Sequence, residues 1–346
     1  MQFERLKSMT DALSRLLATR DWLLGDGATG TTLFNMGLQS GDAPEMWNDE
    51  HPDRIAALYQ GAVDAGSDLF LTNTFGGNAS RLKLHNSQRR VGVLNRIAAE
   101  IAREVADKCD RDVVVAGSIG PTGEIMVPVG SLTYADAVEM FHEQADALKA
   151  GGADVLWVET ISAIDEYRAA AEAALLADMP WCGTMSFDTA GRTMMGVTSA
   201  DMAAMVEKLD HPPIAFGANC GVGASDLLRT VLGFSTQGTE RPIIAKGNAG
   251  VPKFVDGHIH YDGTPDLMAE YAVLARDCGA RIIGGCCGTT TEHLGKMRAA
   301  LETRPTGPHP TLEKISETLG GYSSASDGTG EDAAPRPARG RRRRRA

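Results

Sequence analysis

Eight times along the chain a short apolar run is followed by a small-residue turn and then by a stretch of helical periodicity. This recurrence limits the fold more than any other feature. The runs are Trp22 to Leu24, Leu69 to Leu71, Val113 to Ala116, Val155 to Val158, Trp181 to Met185, Ile214 to Phe216, Ile243 to Ala245 and Arg281 to Ile283. Helical patterning fills Asp53 to Ala65, Val91 to Lys108, Tyr134 to Ala150, Ile164 to Ala177, Ala200 to Leu209, Ala224 to Leu232, Pro265 to Cys278 and Glu292 to Thr303. The apolar runs are too short for helices and suit strands buried on both faces. The joints DAGSD, KAGGADV and RDCGARI put a glycine just past a helix and a buried strand soon after it, as helices commonly end in βα units. The pattern predicts an α/β chain folded as a (β/α)8 TIM barrel, with a doubly wound open sheet as the rival. The first turn, GDGATGTT, lacks a G-x-G-x-x-G fingerprint, so a dinucleotide site is not indicated.

The barrel with an N-terminal helix is expected over residues 1–310, and a disordered Arg-rich tail over 311–346. The last stretch, GGYSSASDGTGEDAAPRPARGRRRRRA, has too little apolar surface to offset the entropy of ordering. Its Arg341 to Arg345 run has the chemistry to bind RNA, an acidic partner or anionic lipid; a solvated tail with no dedicated partner is the plainer reading. Net charge is −11 over 346 residues. Setting aside the 24 residues from Ser323 leaves 27 basic against 42 acidic side chains, which argues against a nucleic-acid groove. With 43% hydrophobic and 23% charged residues, a sizeable packed core is expected. No apolar run reaches the roughly 18 residues of a membrane span, and the N-terminus is charged throughout, so a cytoplasmic protein without a membrane partner is expected.

In a barrel, chemistry collects where strands lead into helices. The residues after the runs are Gly25, Asp26 and Gly27; Thr72, Asn73 and Thr74; Ser118; Glu159 and Thr160; Ser186; Asn219 and Cys220; Lys246 and Asn248; Cys286 and Cys287. Of six cysteines, Cys109, Cys182 and Cys278 are expected to pack in the core. The other three share one rim. Cys220, Cys286 and Cys287 make an open three-thiolate set of the kind that holds catalytic zinc with its fourth position free. Two other readings stand beside it: small buried hydrophobes, and a redox-active vicinal pair. Glu159 ends the run VLWVET, where a carboxylate is costly unless a cation or donors meet it, and a ligand ammonium would serve. Asp26 invites the same reading or a turn role. Asn219 either holds a ligand amine or satisfies loop backbone. An amino-acid ligand fits, its carboxylate taken by glycine and threonine N–H groups.

The segments DGATGTTLF (Asp26 to Phe34), TNTFGGN (Thr72 to Asn78), GSIGPTGE (Gly117 to Glu124), VET (Val158 to Thr160), GANC (Gly217 to Cys220) and GGCCGTT (Gly284 to Thr290) together resemble the homocysteine S-methyltransferase family over about residues 20 to 305. The resemblance implies a barrel in which Cys220, Cys286 and Cys287 bind catalytic Zn2+ with the homocysteine sulfur as fourth ligand. It further implies that Asp26 and Glu159 receive the homocysteine ammonium, and backbone near Gly27 and Thr72 its carboxylate. The implied activity is zinc-dependent methionine formation from homocysteine and a methyl donor, betaine or a related small molecule. The alternative is the homocysteine-activating subunit of a split cobalamin-dependent methionine synthase, receiving its methyl group from a separate corrinoid protein, since about 285 residues form one barrel and no cobalamin domain is evident. A quaternary ammonium calls for an aromatic cage, for which Trp47, Phe75 and Tyr134 are the rim candidates. The betaine enzymes of the family carry Tyr where this chain has Thr160.

Overall fold

The computed structural model describes residues 11–328, except 252, 256 and 257 and the side chains of 253–255 and 258–260. Eight parallel strands form the barrel: β1 (Leu23–Leu24), β2 (Leu69–Leu71), β3 (Val114–Ile119), β4 (Val155–Ile161), β5 (Trp181–Met185), β6 (Ala215–Cys220), β7 (Ile243–Gly247) and β8 (Ala280–Gly285). Hydrogen-bonded neighbours run β1-β8-β7-β6-β5-β4-β3-β2, the order of a (β/α)8 barrel rather than of a doubly wound sheet. Two carboxylates help to close the remaining seam between β1 and β2. Asp68 Oδ2 accepts the Leu24 N–H at 2.8 Å and Asp26 Oδ2 accepts the Leu71 N–H at 2.8 Å. Both replace ladder bonds that the two shortest arms of the barrel leave unmade.

The apolar layers sort as the topology requires. Inside the barrel Leu23, Leu71, Val114, Trp157, Ile244 and Ile282 pack together, and Leu13, Leu16 and Leu17 of the N-terminal helix Ala12–Thr19 join the same cluster. That helix, capped by Asp11 accepting the Ser14 N–H at 2.7 Å, therefore plugs the N-terminal end of the barrel and directs access to the opposite rim. A second, larger cluster lies between the strands and the outer helices.

Five strands run further than their apolar runs, three of them by three residues or more. β3, β4 and β6 continue through Gly117 to Ile119, Glu159 to Ile161 and Gly217 to Cys220. The ladder pairs Asn219 with Lys246 and Cys220 with Gly247, so polar residues that looked like loop are held in sheet register. The expected boundary at 310 also moves. Leu312–Leu319 is a helix with Ile315 and Leu319 buried. Beyond it Ser323 N–H donates to Asp226 at 2.9 Å, Arg229 donates to the Ser324 carbonyl at 2.8 Å, and the Arg229 guanidinium stacks 4.6 Å from the Tyr322 ring. These contacts order a segment whose own composition argues for disorder. The Arg341 to Arg345 run lies outside the described residues. Among the described residues no helix is long and apolar enough to cross a membrane.

Candidate active site

A cavity of about 340 Å3 opens at the C-terminal rim of the strands. That volume suits small ligands. Cys220, at the end of β6, and Cys286 and Cys287, just past β8, line it with their sulfurs within 4.8 Å of one another. Cys220 sits at φ 61°, a left-handed conformation that turns its side chain across the mouth instead of along the sheet alternation. The thiols crowd each other. The contact with Cys286 lowers the Cys220 thiol, but the contact with Cys287 and burial outweigh it and push it up to about 11. Cys287 is pushed up to about 12 by the same mutual contacts and burial. Three thiols so placed cannot ionise together without a cation between them, which is the chemistry of a thiolate metal site. Amides stand ready for the sulfurs: Asn219 Nδ2 lies 3.8 Å from Cys286 Sγ and Asn248 Nδ2 3.8 Å from Cys220 Sγ. Asn248 Oδ1 also accepts the Cys287 N–H at 3.0 Å. The spacing and the donor set fit zinc.

Beside the sulfurs, Glu159 lines the cavity and Ser118 donates its hydroxyl to it at 2.6 Å. Burial raises its pKa above the usual carboxylate range; Lys246 and Ser118 act against that rise and Asp26 adds to it. Lys246 is 2% exposed and pairs directly with Asp26. Burial works against its charge, but Asp26 and then Glu159 outweigh it, so its pKa stands above that of ordinary lysine. Lys246 was legible as a rim residue without an assigned role; it pairs with Asp26, the residue for which the resemblance implies a part in holding the homocysteine ammonium. One Asp26 oxygen holds Leu71 and the other holds Lys246, while the side chain that lines the cavity is Lys246.

Two other expected contacts are also committed elsewhere. Asn219 Oδ1 accepts the Thr160 N–H at 2.9 Å and the Thr184 hydroxyl at 2.7 Å, and its Nδ2 donates to the Thr160 hydroxyl at 2.8 Å. It is a fastener between β4, β5 and β6, and it holds Thr160 at φ 63°. Thr72 does line the cavity, but its N–H is bound to the Ala116 carbonyl at 2.9 Å and its hydroxyl to Thr74 and the Ser118 N–H. Gly27 lines the cavity and passes so close to Thr289 that a Cβ there would lie 2.5 Å from its carbonyl oxygen. Of the three aromatic candidates only Phe75 reaches the cavity. Trp47 packs against His51 and Arg54, and the Tyr134 hydroxyl donates to Glu172 at 2.9 Å. Cys182 and Cys278 are fully buried, and Cys109 packs at the edge of the outer core.

The homocysteine S-methyltransferase family matches residues 23–301, a span that contains every strand and all three rim cysteines. The chain belongs to the homocysteine S-methyltransferase family. It is 30% identical over 295 residues to methionine synthase of Mycobacterium tuberculosis, covering 81% of this chain and 24% of that protein. Methionine synthase of Mycobacterium leprae is likewise 30% identical over 308 residues, with 84% and 25% covered. The chain thus spans about a quarter of the length of these relatives. In fold it is similar to the metallated form of the homocysteine methyltransferase MmuM from Escherichia coli, with a TM-score of 0.69, 22% identity, and 84% of this chain and 99% of that one covered.

Proposed function

We propose that the protein forms methionine by moving a methyl group from a donor onto the sulfur of homocysteine, with Cys220, Cys286 and Cys287 holding Zn2+. The observation that carries this reading is the three-sulfur cluster in the wall of a cavity that also presents a buried, singly uncompensated carboxylate, Glu159. Zinc, when bound, supplies a Lewis acid that keeps a ligating thiol deprotonated at neutral pH.

The chain's own residues do the rest. Asp26 neutralises Lys246, so one negative charge, that of Glu159, remains for the single ammonium of an amino acid. Ser118 aims that carboxylate. The carboxylate of homocysteine falls to Gly27 and the loop Ala28 to Thr31, which line the same wall. Held at both ends, the ligand directs its sulfur toward the cysteine cluster, and positioning of this kind accounts for much of the rate of a bimolecular displacement. Cys287→Ala is expected to lose zinc and methionine formation together, and full activity in that variant would contradict the reading.

A second reading concerns delivery of the methyl group by a separate corrinoid protein. It is favoured by exposed apolar side chains on the rim loops, among them Phe34, Leu84, Val129, Met194 and Val251, which are the surface a docking protein would cover. An enzyme inert with every free donor yet competent to bind homocysteine would support it.

A further inference from the structure

In the proposed site four sulfurs meet at one zinc, three from cysteines and one from homocysteine, and coordination makes each of them a thiolate. The methyl group must reach only one. Methylation of Cys220, Cys286 or Cys287 would form an S–CH3 bond from the sulfur lone pair while the donor departs with the electron pair of its own methyl bond. That cysteine would become a neutral thioether and no longer offer zinc a charged ligand.

The protein supplies a difference between these sulfurs. Asn219 Nδ2 lies 3.8 Å from Cys286 Sγ, Asn248 Nδ2 lies 3.8 Å from Cys220 Sγ, and the Tyr261 hydroxyl is hydrogen-bonded to Cys287 Sγ. Each cysteine sulfur thus has a side-chain donor of its own. An amide nitrogen carries two hydrogens and a phenol one. The second hydrogen of Asn219 goes to the Thr160 hydroxyl at 2.8 Å, and that of Asn248 to the Gly221 carbonyl at 2.8 Å. None of the three groups has a hydrogen left for a fourth sulfur.

Tyr261 lies in the connection from β7 to β8, just past the antiparallel pair Lys253–Val255 and His258–His260. Its ring rests on Gly288, the residue after Cys287, so closely that a Cβ there would stand 2.4 Å from the Tyr261 Cγ. The backbone on either side is tied to the same turn. Gly263 N–H donates to the Ala249 carbonyl at 2.8 Å, and Ala249 N–H donates to the Cys287 carbonyl at 2.9 Å. His293, in the first turn of the helix that follows the cysteines, donates from Nε2 to the Gly263 carbonyl at 2.8 Å. The hydroxyl is therefore held against Cys287 by backbone that the cysteine turn itself anchors.

Resting on the zinc methyltransferase reading above, we infer that the three donors direct the methyl group to homocysteine by masking the cysteine sulfurs, and that Tyr261 is the positioning residue that masks Cys287. A hydrogen bond to a thiolate is charge-assisted and strongest while the sulfur keeps its full negative charge. That charge falls as an S–CH3 bond forms. The donor therefore stabilises the reactant over the transition state and slows attack by the sulfur it touches. The homocysteine sulfur receives no such bond from the three groups and stays the fastest nucleophile of the four.

Tyr261→Phe keeps the ring on Gly288 and removes only the hydroxyl. Zinc content is measured first, and the zinc-loaded protein is then treated with iodoacetamide, whose CH2 carbon bonds to sulfur as iodide leaves. Labelling of each cysteine is followed over time by peptide mass spectrometry. In the variant Cys287 should be alkylated on the order of 3- to 10-fold faster than in the parent protein, while Cys220 and Cys286, which keep their amides, stay within about twofold. A change that merely loosened the site or released its metal would expose all three together, so a common rise overturns the inference. An unchanged or slower rate at Cys287 with zinc still bound also overturns it and leaves the methyltransferase reading standing. A parent protein that binds no zinc overturns both.

Discussion

Asp26 and Glu159 are both buried acids at one rim, yet their partners give them different work. Asp26 is spent on a backbone N–H and on Lys246, whereas Glu159 has a hydroxyl and a cavity in front of it. Asp26→Asn frees Lys246 to pair with Glu159 and so fills the ammonium position. That variant is expected to raise the KM for homocysteine about 10-fold or more, and Lys246→Met added to it should recover part of the loss, checked by steady-state kinetics. The pH dependence has a definite sign. A ligand ammonium binds the ionised form of Glu159, whose pKa is raised by burial. Homocysteine affinity should therefore fall as pH drops through a value above the ordinary carboxylate range, and Glu159→Gln should weaken binding and flatten that profile in calorimetric titrations. The cysteine trio was legible because a vicinal pair in a glycine-rich turn makes poor core. The commitments of Asp26 and Asn219 were not, because they are set by Lys246, Thr160 and Thr184, residues on other strands that sequence spacing cannot bring into register. Tyr261 was missed for a related reason: in HIHYDGT it stands well past the strand end, and the turn at Gly288 brings it to Cys287.

At the level of elements, strand positions were readable from their apolar runs but their ends were not. A glycine or carboxylate stops an apolar run without stopping the ladder, as Gly217 to Cys220 show in β6. Gly217 itself is pinned by that ladder, since a Cβ there would lie 2.0 Å from the Ile244 carbonyl oxygen. Gly217→Ala must push β6 from β7 and is expected to cost about 1–3 kcal/mol, read by denaturant unfolding. The segment after residue 310 was misjudged because LEKISETL offers few apolar residues, and Ile315 and Leu319 suffice only because a packed surface receives them. Truncation after Gly320 removes the Ser323 and Ser324 contacts of Asp226 and Arg229, both almost fully buried, and leaves them only their mutual ion pair. It should lower stability by about 1–3 kcal/mol and leave the homocysteine Kd unchanged, measured by thermal unfolding and calorimetry.

Over the whole molecule, the N-terminal helix closes one end of the barrel, and the residues that can bind, pair or ligate gather at the other. The same rim carries the exposed apolar side chains, so small-donor chemistry and partner docking compete for one face. The account as a whole stands on zinc held by Cys220, Cys286 and Cys287 with a position open to homocysteine. Zinc-edge X-ray absorption of the purified protein, recorded with and without homocysteine, tests this most directly. The predicted result is about one zinc per chain with three sulfur neighbours near 2.3 Å, rising to four when homocysteine is added. A sulfur count that homocysteine leaves unchanged, or zinc retained in full by Cys287→Ala, would contradict it.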